Sequence, residues 1–356
     1  MIETVNPDTL TMARESRGVS QASLAEAVGV TQGLISKAEN GIVSLSTDEV
    51  QKVAKVLDYP VSLFYDRDHM REAGSGCLYH RQRKTMPARL LRELDANMRM
   101  RNLNVRRLLN GLRMERDRTF FTLDLDEYGG SPAAVAQALR RAWRIPHGPI
   151  SNLTALIESA GGIVYATDFG TRKLFGMSCW ATRDYPLFFL NSAAPTAVLR
   201  WTIAHELGHL TMHWSPSNGD TEDEADEFAG EFLAPQDEIT PELRNLRFAN
   251  LPTLKMYWRI SMKALINRAR RLGAIDPVAA IRLFKQYSAH GYNDVEPFAL
   301  SPEPATLLDE AVRFHLDRHG YSQAELAEAV RLTESEFDRV LLGSYARRGP
   351  LQLVKG

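Results

Sequence analysis

The sequence has little cysteine and almost no net charge. Its 356 residues include only two cysteines, Cys77 and Cys179, which lie far apart along the chain. Two distant cysteines exclude a disulfide framework and a zinc site built from thiolates. The formal net charge of −1 predicts no general attraction of the whole chain to nucleic acid or to a membrane surface.

Long hydrophobic runs are also missing. No run of about 18 consecutive apolar residues occurs, and the first residues lack the basic and then apolar pattern of a secretory signal. We therefore expect a cytoplasmic protein with no membrane partner. The length allows about two or three domains. Helical periodicity dominates, with a few short strand patterns, and this predicts a predominantly helical α+β fold.

The most informative stretch contains the pattern H-E-x-x-H. Residues four apart share one face of a helix, so His205 and His209 can direct two imidazoles at one ion. In this pattern the histidines hold zinc, and the glutamate, here Glu206, takes a proton from water and passes it to the leaving amine. The apolar residues before the motif indicate a buried helix, which favours a catalytic zinc site over a solvated helix.

A second predicted helix offers candidates for a third zinc ligand. Glu222 and Asp226 share a face, so Glu222 can reach zinc while Asp226 accepts the other ring N–H of a histidine ligand. Two histidines and one glutamate would leave a coordination position open, as is typical of catalytic zinc. Glu224 is the alternative ligand, although it points about 200° away from Glu222. His213 ranks last, because an uninterrupted helix carries it about 80° past His205.

Residues 8–66 have the layout of a helix-turn-helix domain. A helix over 8–16 is followed by Ser20, which begins a short helix, and by Gly29 and Thr31, which make the turn and begin the next helix. Two more helices are predicted, over Thr47–Leu57 and near Phe64.

The residue pattern at 20–41 resembles that of the Xre and lambda-repressor family of DNA-binding domains. The pattern is S-Q-x-x-L-A-x-x-V-G-V-T-Q-x-x-I-S-x-x-E-N-G. The resemblance implies an operator DNA as partner and a recognition helix that runs from Thr31 to Asn40. The implied DNA-binding residues are Gln21, Thr31, Gln32, Gly33, Ser36, Lys37 and Asn40.

Charge is distributed unevenly between this domain and the stretch after it. Residues 1–66 hold five basic against nine acidic residues, whereas residues 71–118 hold thirteen against five. One hypothesis is that Arg81, Arg83 and Lys84 contact the DNA backbone. The apolar stripe over 88–114 predicts a long amphipathic helix that packs on the zinc domain or on a second copy of the chain in a homodimer.

Short strands are predicted at 161–166, 176–181 and 187–190, after helices at 132–143 and 153–160. They would form a small sheet beside the zinc helices, where an edge strand could receive a peptide substrate as an added strand.

The segment from about 131 to 273 resembles the ImmA/IrrE family of zinc metallopeptidases, whose members are often fused to Xre-type domains. The resemblance rests on H-E-L-G-H-L-x-x-H, on E-x-E-A-D-x-F-A-x-x-F-L-A-P at 222–235, and on the segment 258–275. It implies zinc as the cofactor, with His205, His209 and Glu222 as ligands and Glu206 as the general base. It also implies that Asp226 accepts a hydrogen bond from a histidine ligand without touching the metal. By analogy with such members, the substrate would be a partner repressor.

The end of the chain repeats its beginning. Eleven of the 24 positions in 18–41 recur at a fixed offset of 302, which chance explains poorly. Arg331 replaces the turn glycine, and Glu334, Glu336 and Asp338 place three acids on the would-be recognition surface. These changes favour a helix-turn-helix fold used for protein contact over a second DNA reader or an acidic mimic of DNA.

The sequence thus predicts four parts. They are an Xre-type helix-turn-helix domain (1–68), a basic helical connector (69–130), an ImmA/IrrE-like zinc peptidase domain (131–298) and a C-terminal helix-turn-helix-like module (299–356). A linker is predicted at 301–304, near the start of the last part. The expected function is that of a DNA-associated zinc endopeptidase that cleaves a repressor-like regulatory protein. The alternative is a transcriptional regulator whose zinc domain is a non-cleaving sensor or protein-binding scaffold.

Overall fold

The computed structural model describes residues 4–66, 86–112, 116–182, 185–213 and 220–342. The N-terminal domain is a small helical bundle, as predicted. Its helices are α1 (Pro7–Ser16), α2 (Gln21–Val28), α3 (Gln32–Glu39) and α4 (Thr47–Leu57), followed by a 3-10 turn at Val61–Tyr65. The Ser20 and Thr31 side chains accept hydrogen bonds from the first turns of α2 and α3. Gly29 has φ +80° and turns the chain between them.

The connector contains one long helix, α5 (Ala88–Leu109), which is buried on two faces. Met100 and Leu103 belong to the core of the N-terminal domain, where α5 packs on α1. Leu94 and Met98 belong instead to a core shared with the sheet and the C-terminal residues. The sequence predicted contact with the zinc domain but not with α1. Arg81, Arg83, Lys84 and the predicted helix end at Met114 lie outside the described residues.

The domain predicted to bind zinc, called the zinc domain below, combines helices with a three-stranded sheet. The helices before the sheet are α6 (Pro132–Ala142) and α7 (Leu153–Ser159), and the strands are β1 (Ile163–Thr167), β2 (Gly176–Trp180) and β3 (Pro186–Asn191). The strand order is β1-β3-β2, with β1 parallel and β2 antiparallel to β3. The predicted strands are confirmed, with ends shifted by one or two residues. β2 is therefore an edge strand.

Six further α-helices of the described residues follow the sheet within this domain. They are α8 (Thr196–Met212), α9 (Thr221–Leu233), α10 (Gln236–Leu243), α11 (Leu251–Trp258), α12 (Met262–Arg271) and α13 (Pro277–Ala289). A buried ion pair between Arg268 on α12 and Glu231 on α9 ties two of them together. The largest apolar core of the described residues lies among these helices and the inner face of the sheet.

Residues just before the predicted boundary at 131 contact the domain that follows it. Phe120 packs edge-to-face against Trp143 and Trp180, and the Leu123 amide donates to the Thr211 carbonyl at 2.9 Å. Residues 116–130 are thus anchored to the zinc domain by aromatic packing and a backbone hydrogen bond. We therefore propose that this domain begins near residue 116.

The C-terminal module contains α14 (Leu307–Asp317), α15 (Gln323–Ala329) and α16 (Glu334–Phe337). Arg331 has φ +63° at the position that corresponds to Gly29, so the repeat keeps the left-handed turn without a glycine. Glu336 points inward, with 1% of its side chain exposed, and pairs with Arg17 and Arg101. The predicted surface of three acids is therefore wrong, since only Glu334 and Asp338 remain exposed.

The predicted linker at 301–304 is anchored rather than free. Glu303 is paired with Arg200 and accepts hydrogen bonds from two amides at the start of α7. In return, Glu158 of α7 accepts from the amides of Thr306 and Leu307, where α14 begins. Each carboxylate thus caps the other segment's helix. Among the described residues, no helix combines the length and the apolar character needed to span a membrane.

Candidate metal centre

Two adjacent helices, α8 and α9, carry the predicted zinc residues. α8 is apolar on several faces and is buried, and α9 packs along it with Ala225, Phe228 and Ala229. Gly208 allows this close approach, because a Cβ atom there would lie 3.1 Å from Cδ1 of Phe228. The motif glycine therefore sets the separation of the two helices that must share one ion.

The side chains of His205, His209 and Glu222 converge. Each offers a donor atom, and these atoms lie within 4.8 Å of one another. The two Nε2 atoms are 3.1 Å apart, and Glu222 places its oxygens 3.5 Å from His209 Nε2 and 3.7 Å from His205 Nε2. A tetrahedral ion with bonds of about 2 Å separates its ligand atoms by roughly 3.3 Å. The spacing of the three donors fits such an ion.

Burial keeps the second histidine in the form that binds metal. It lowers the pKa of His209 to about 4, with further lowering from His205 and His213, while the nearby Glu222 carboxylate opposes the shift. The imidazole is therefore neutral at neutral pH, and only a neutral imidazole can donate its lone pair to an ion.

Asp226, the predicted partner of a histidine ligand, lies beside His205. Asp226 Oδ1 lies 3.0 Å from His205 Nδ1 and accepts a hydrogen bond from Trp201 Nε1 at 3.2 Å. Arg271 approaches its other oxygen at 3.7 Å. Burial alone would raise the pKa of Asp226, but the contacts with His205, Trp201 and Arg271 lower it overall. An ionised Asp226 fixes the proton on His205 Nδ1 and leaves Nε2 facing the other donors.

The two rival ligands lie behind His209 instead. His213 Nδ1 is 2.8 Å from His209 Nδ1, and its Nε2 is 2.8 Å from Glu224 Oε2. Glu224 is not part of the group of three that converges on one point. His213, at the C-terminal end of α8, therefore joins His209 to a carboxylate.

Glu206 is completely buried beside this group. The Ser178 hydroxyl of β2 donates to its Oε2 at 2.7 Å, whereas its buried Oε1 has no hydrogen-bond partner among the described residues. Burial raises the pKa of Glu206 well above its usual range, and the Glu222 carboxylate adds to the effect. A cation held by the neighbouring donors would oppose both effects. The orphaned oxygen and the converging donors together fit a bound ion with a water molecule.

Sequence reasoning missed three neighbours of this centre, namely Ser178, Trp201 and Arg271. Trp201 precedes His205 by one turn, so its helical position was a usable signal. Ser178 and Arg271 come from a strand and from another helix, and nothing in their local sequence marks them.

The edge strand lies next to the centre, as expected. Alternation along β2 places Ser178 toward α8, whereas Met177 and Cys179 face the core shared with α5. Asn102 of α5 donates to the Trp180 carbonyl at 3.2 Å. The connector helix thus contacts one end of the strand that carries the partner of Glu206.

The predicted recognition helix of the N-terminal domain, α3, is open to solvent. Its exposed residues are Thr31, Gln32, Gly33, Lys37 and Asn40, with Ser36 half-buried. Gln32 donates to Gln21 at 2.9 Å, Gln21 donates to Glu39 at 2.7 Å, and Arg14 pairs with Glu39. This chain holds both glutamines in place, and the sequence did not predict it.

Comparison with known families finds a match in the N-terminal domain and another in the domain that carries the candidate metal centre. Residues 10–64 match the helix-turn-helix family model, and residues 158–270 match the model of the IrrE N-terminal-like domain, a peptidase family. Searches of curated proteins and of solved structures gave no match. The chain thus joins an Xre-type helix-turn-helix domain to a peptidase-family domain of the ImmA/IrrE type.

Proposed function

We propose that this protein is a DNA-associated zinc endopeptidase that cleaves a regulatory protein such as an Xre-type repressor. The observation that carries the proposal is the convergence of His205, His209 and Glu222 beside the buried Glu206. Two imidazoles and one carboxylate are the donor set of catalytic rather than structural zinc sites, because they leave a coordination position open.

His205, His209 and Glu222 would hold the ion in this proposal. Zinc bound there would act as a Lewis acid that lowers the pKa of a water molecule to about 7. Glu206 Oε1 accepts the proton of the attacking water and later delivers it to the nitrogen of the departing amine. The Ser178 hydroxyl holds Oε2, so the other oxygen keeps its direction through both proton transfers.

The N-terminal domain would bring this activity to DNA. Its recognition surface carries Gln32 and Lys37 with no other part of the described chain over it, and both are side-chain types that read base edges. The few basic residues of this domain imply that much of the phosphate contact comes from elsewhere in the chain.

A cleavage assay with a matched variant tests the proposal. The zinc-loaded protein and Glu206→Gln are incubated with the Xre-type repressor encoded beside its gene, and products are read by mass spectrometry. We expect cleavage by the wild type only, with equal zinc content in both proteins, because Glu206 is not a proposed ligand. Equal persistence of the repressor with both proteins contradicts the endopeptidase.

The alternative of a non-cleaving sensor makes a different prediction. Binding to the promoter of the protein's own gene should then survive His205→Ala while its response to zinc is lost, and no cellular protein should be cut. Footprinting with and without zinc, combined with proteome-wide analysis of new N-termini, separates the two functions.

A further inference from the structure

His209 is supported by two residues in series, in a geometry that parallels the support of His205 by Asp226. His213 Nδ1 lies 2.8 Å from His209 Nδ1, and His213 Nε2 lies 2.8 Å from Glu224 Oε2. In both His205 and His209, therefore, Nδ1 contacts another side chain while Nε2 faces the site. One is held directly by a carboxylate and the other through a second imidazole.

Hydrogen-bonding chemistry determines which ring nitrogen carries the proton in His213 and in His209. A carboxylate only accepts hydrogen bonds, so the contact with Glu224 places the His213 ring proton on Nε2. His213 Nδ1 is then an acceptor, and the proton of His209 lies on Nδ1. This leaves the lone pair of His209 Nε2 directed toward Glu222, which is 3.5 Å away. The series thus selects the tautomer of His209 that a metal ion needs.

The fold holds the series in place at both ends. His213 follows the last residue of α8, and its backbone amide donates to the His209 carbonyl at 2.9 Å. Glu224 lies in the first turn of α9, where a carboxylate is favoured by the helix dipole. The His213 side chain is 7% exposed and that of Glu224 is 22% exposed. A hydrogen bond that is largely shielded from water fixes the orientation of its two groups more strictly than a solvated one does.

The same contacts argue against a ligand role for either residue. Both ring nitrogens of His213 are engaged, one with His209 and one with Glu224. Glu222 alone among the acids of α9 lies in the converging group.

We propose that His213 and Glu224 are positioning residues for the metal: they act through His209 and raise the affinity of the site without touching the ion. This inference rests on the proposed zinc site. Loss of such a partner typically reduces metal affinity about 10- to 100-fold.

Four variants of the full-length protein test it, with zinc affinity measured by competition with a chromophoric chelator. His213→Leu removes the acceptor of the His209 proton and is expected to weaken binding about 10- to 100-fold. His213→Asn is the conservative rescue, since Asn Oδ1 occupies nearly the place of His Nδ1, and should bind more tightly than His213→Leu. Glu224→Gln keeps an acceptor oxygen and should lose less. Glu227→Gln, one turn further along α9, is the control and should match the wild type.

Cobalt substitution separates positioning from ligation. At saturating Co²⁺, His213→Leu and Glu224→Gln should keep the wild-type visible absorption spectrum, because the ligand set is unchanged. A changed spectrum would make the residue a ligand and overturn the inference, as would zinc affinity of His213→Leu equal to that of the wild type. If the wild type itself binds no zinc, the proposed metal site fails together with the inference. Circular dichroism of the zinc-free variants checks that each is folded, and Glu224→Gln carries the test if His213→Leu is not.

Discussion

Removal of the Ser178 hydroxyl should cost more stability when zinc is bound than when it is absent. The hydroxyl donates to Glu206 Oε2 at 2.7 Å, and both residues are fully buried. Without metal, burial raises the pKa of Glu206 well above its usual range and so favours the neutral carboxyl. A bound cation stabilises the carboxylate instead. The hydrogen bond then has a charged acceptor and becomes stronger.

The magnitude follows from the two charge states. A hydrogen bond between neutral groups contributes about 0.5–1.5 kcal/mol, and one to a charged group contributes about 1.5–3 kcal/mol. Ser178→Ala should therefore reduce the free energy of unfolding by about 1 kcal/mol in the zinc-free protein and by about 2 kcal/mol or more in the loaded protein. All five tryptophans lie between residues 143 and 258, so denaturant unfolding followed by tryptophan fluorescence reports on the zinc domain alone.

A double-mutant cycle isolates the contact. In Glu206→Gln the acceptor is a neutral amide, so the further change Ser178→Ala should cost the same with and without zinc. A loss for Ser178→Ala alone that does not depend on zinc would refute the argument that a cation keeps Glu206 ionised.

Three further predictions concern other parts of the chain. Gly208→Ala should destabilise the zinc domain by about 1–3 kcal/mol and weaken zinc binding, because the new methyl group meets the Phe228 ring; unchanged zinc affinity in a chelator competition would contradict this. Lys37→Gln should weaken binding to promoter DNA about tenfold, whereas Lys52→Gln, on α4, should change it little, and equal effects in a gel-shift titration would exclude the assigned recognition surface. Burial raises the pKa of Cys179 to about 11, so in a variant that keeps Cys179 as its single cysteine, a thiol reagent at pH 8 should label the protein only after unfolding.

The metal residues were accessible to sequence analysis because their spacing is a property of one helix. His205 and His209 lie one turn apart in any α-helix, and Glu206 lies beside them whatever the rest of the chain does. The helix-turn-helix domain was accessible for a similar reason, since capping side chains and a turn glycine act over a few residues. The structure agrees with both patterns at the level of helices and turns.

Contacts between distant segments were not accessible in this way. The choice between Glu222 and Glu224 depends on how α9 is rotated against α8, and helical spacing alone left both open. The repeat at the end of the chain was visible in the sequence as a similarity to the first domain. The sequence also predicted Glu336 on the surface, whereas in the fold it is buried against Arg17 and Arg101.

The sequence by itself determined the kinds of domain and the residues that could bind zinc, because periodicity, capping and spacing are local and repeat within a few residues. Only the tertiary structure decided which carboxylate faces the histidines, that a serine from the edge strand contacts Glu206, and that His213 contacts His209. Those outcomes depend on the packing of helices and strands that are remote in sequence. Packing is set by the shapes of whole buried surfaces, and no short pattern encodes it.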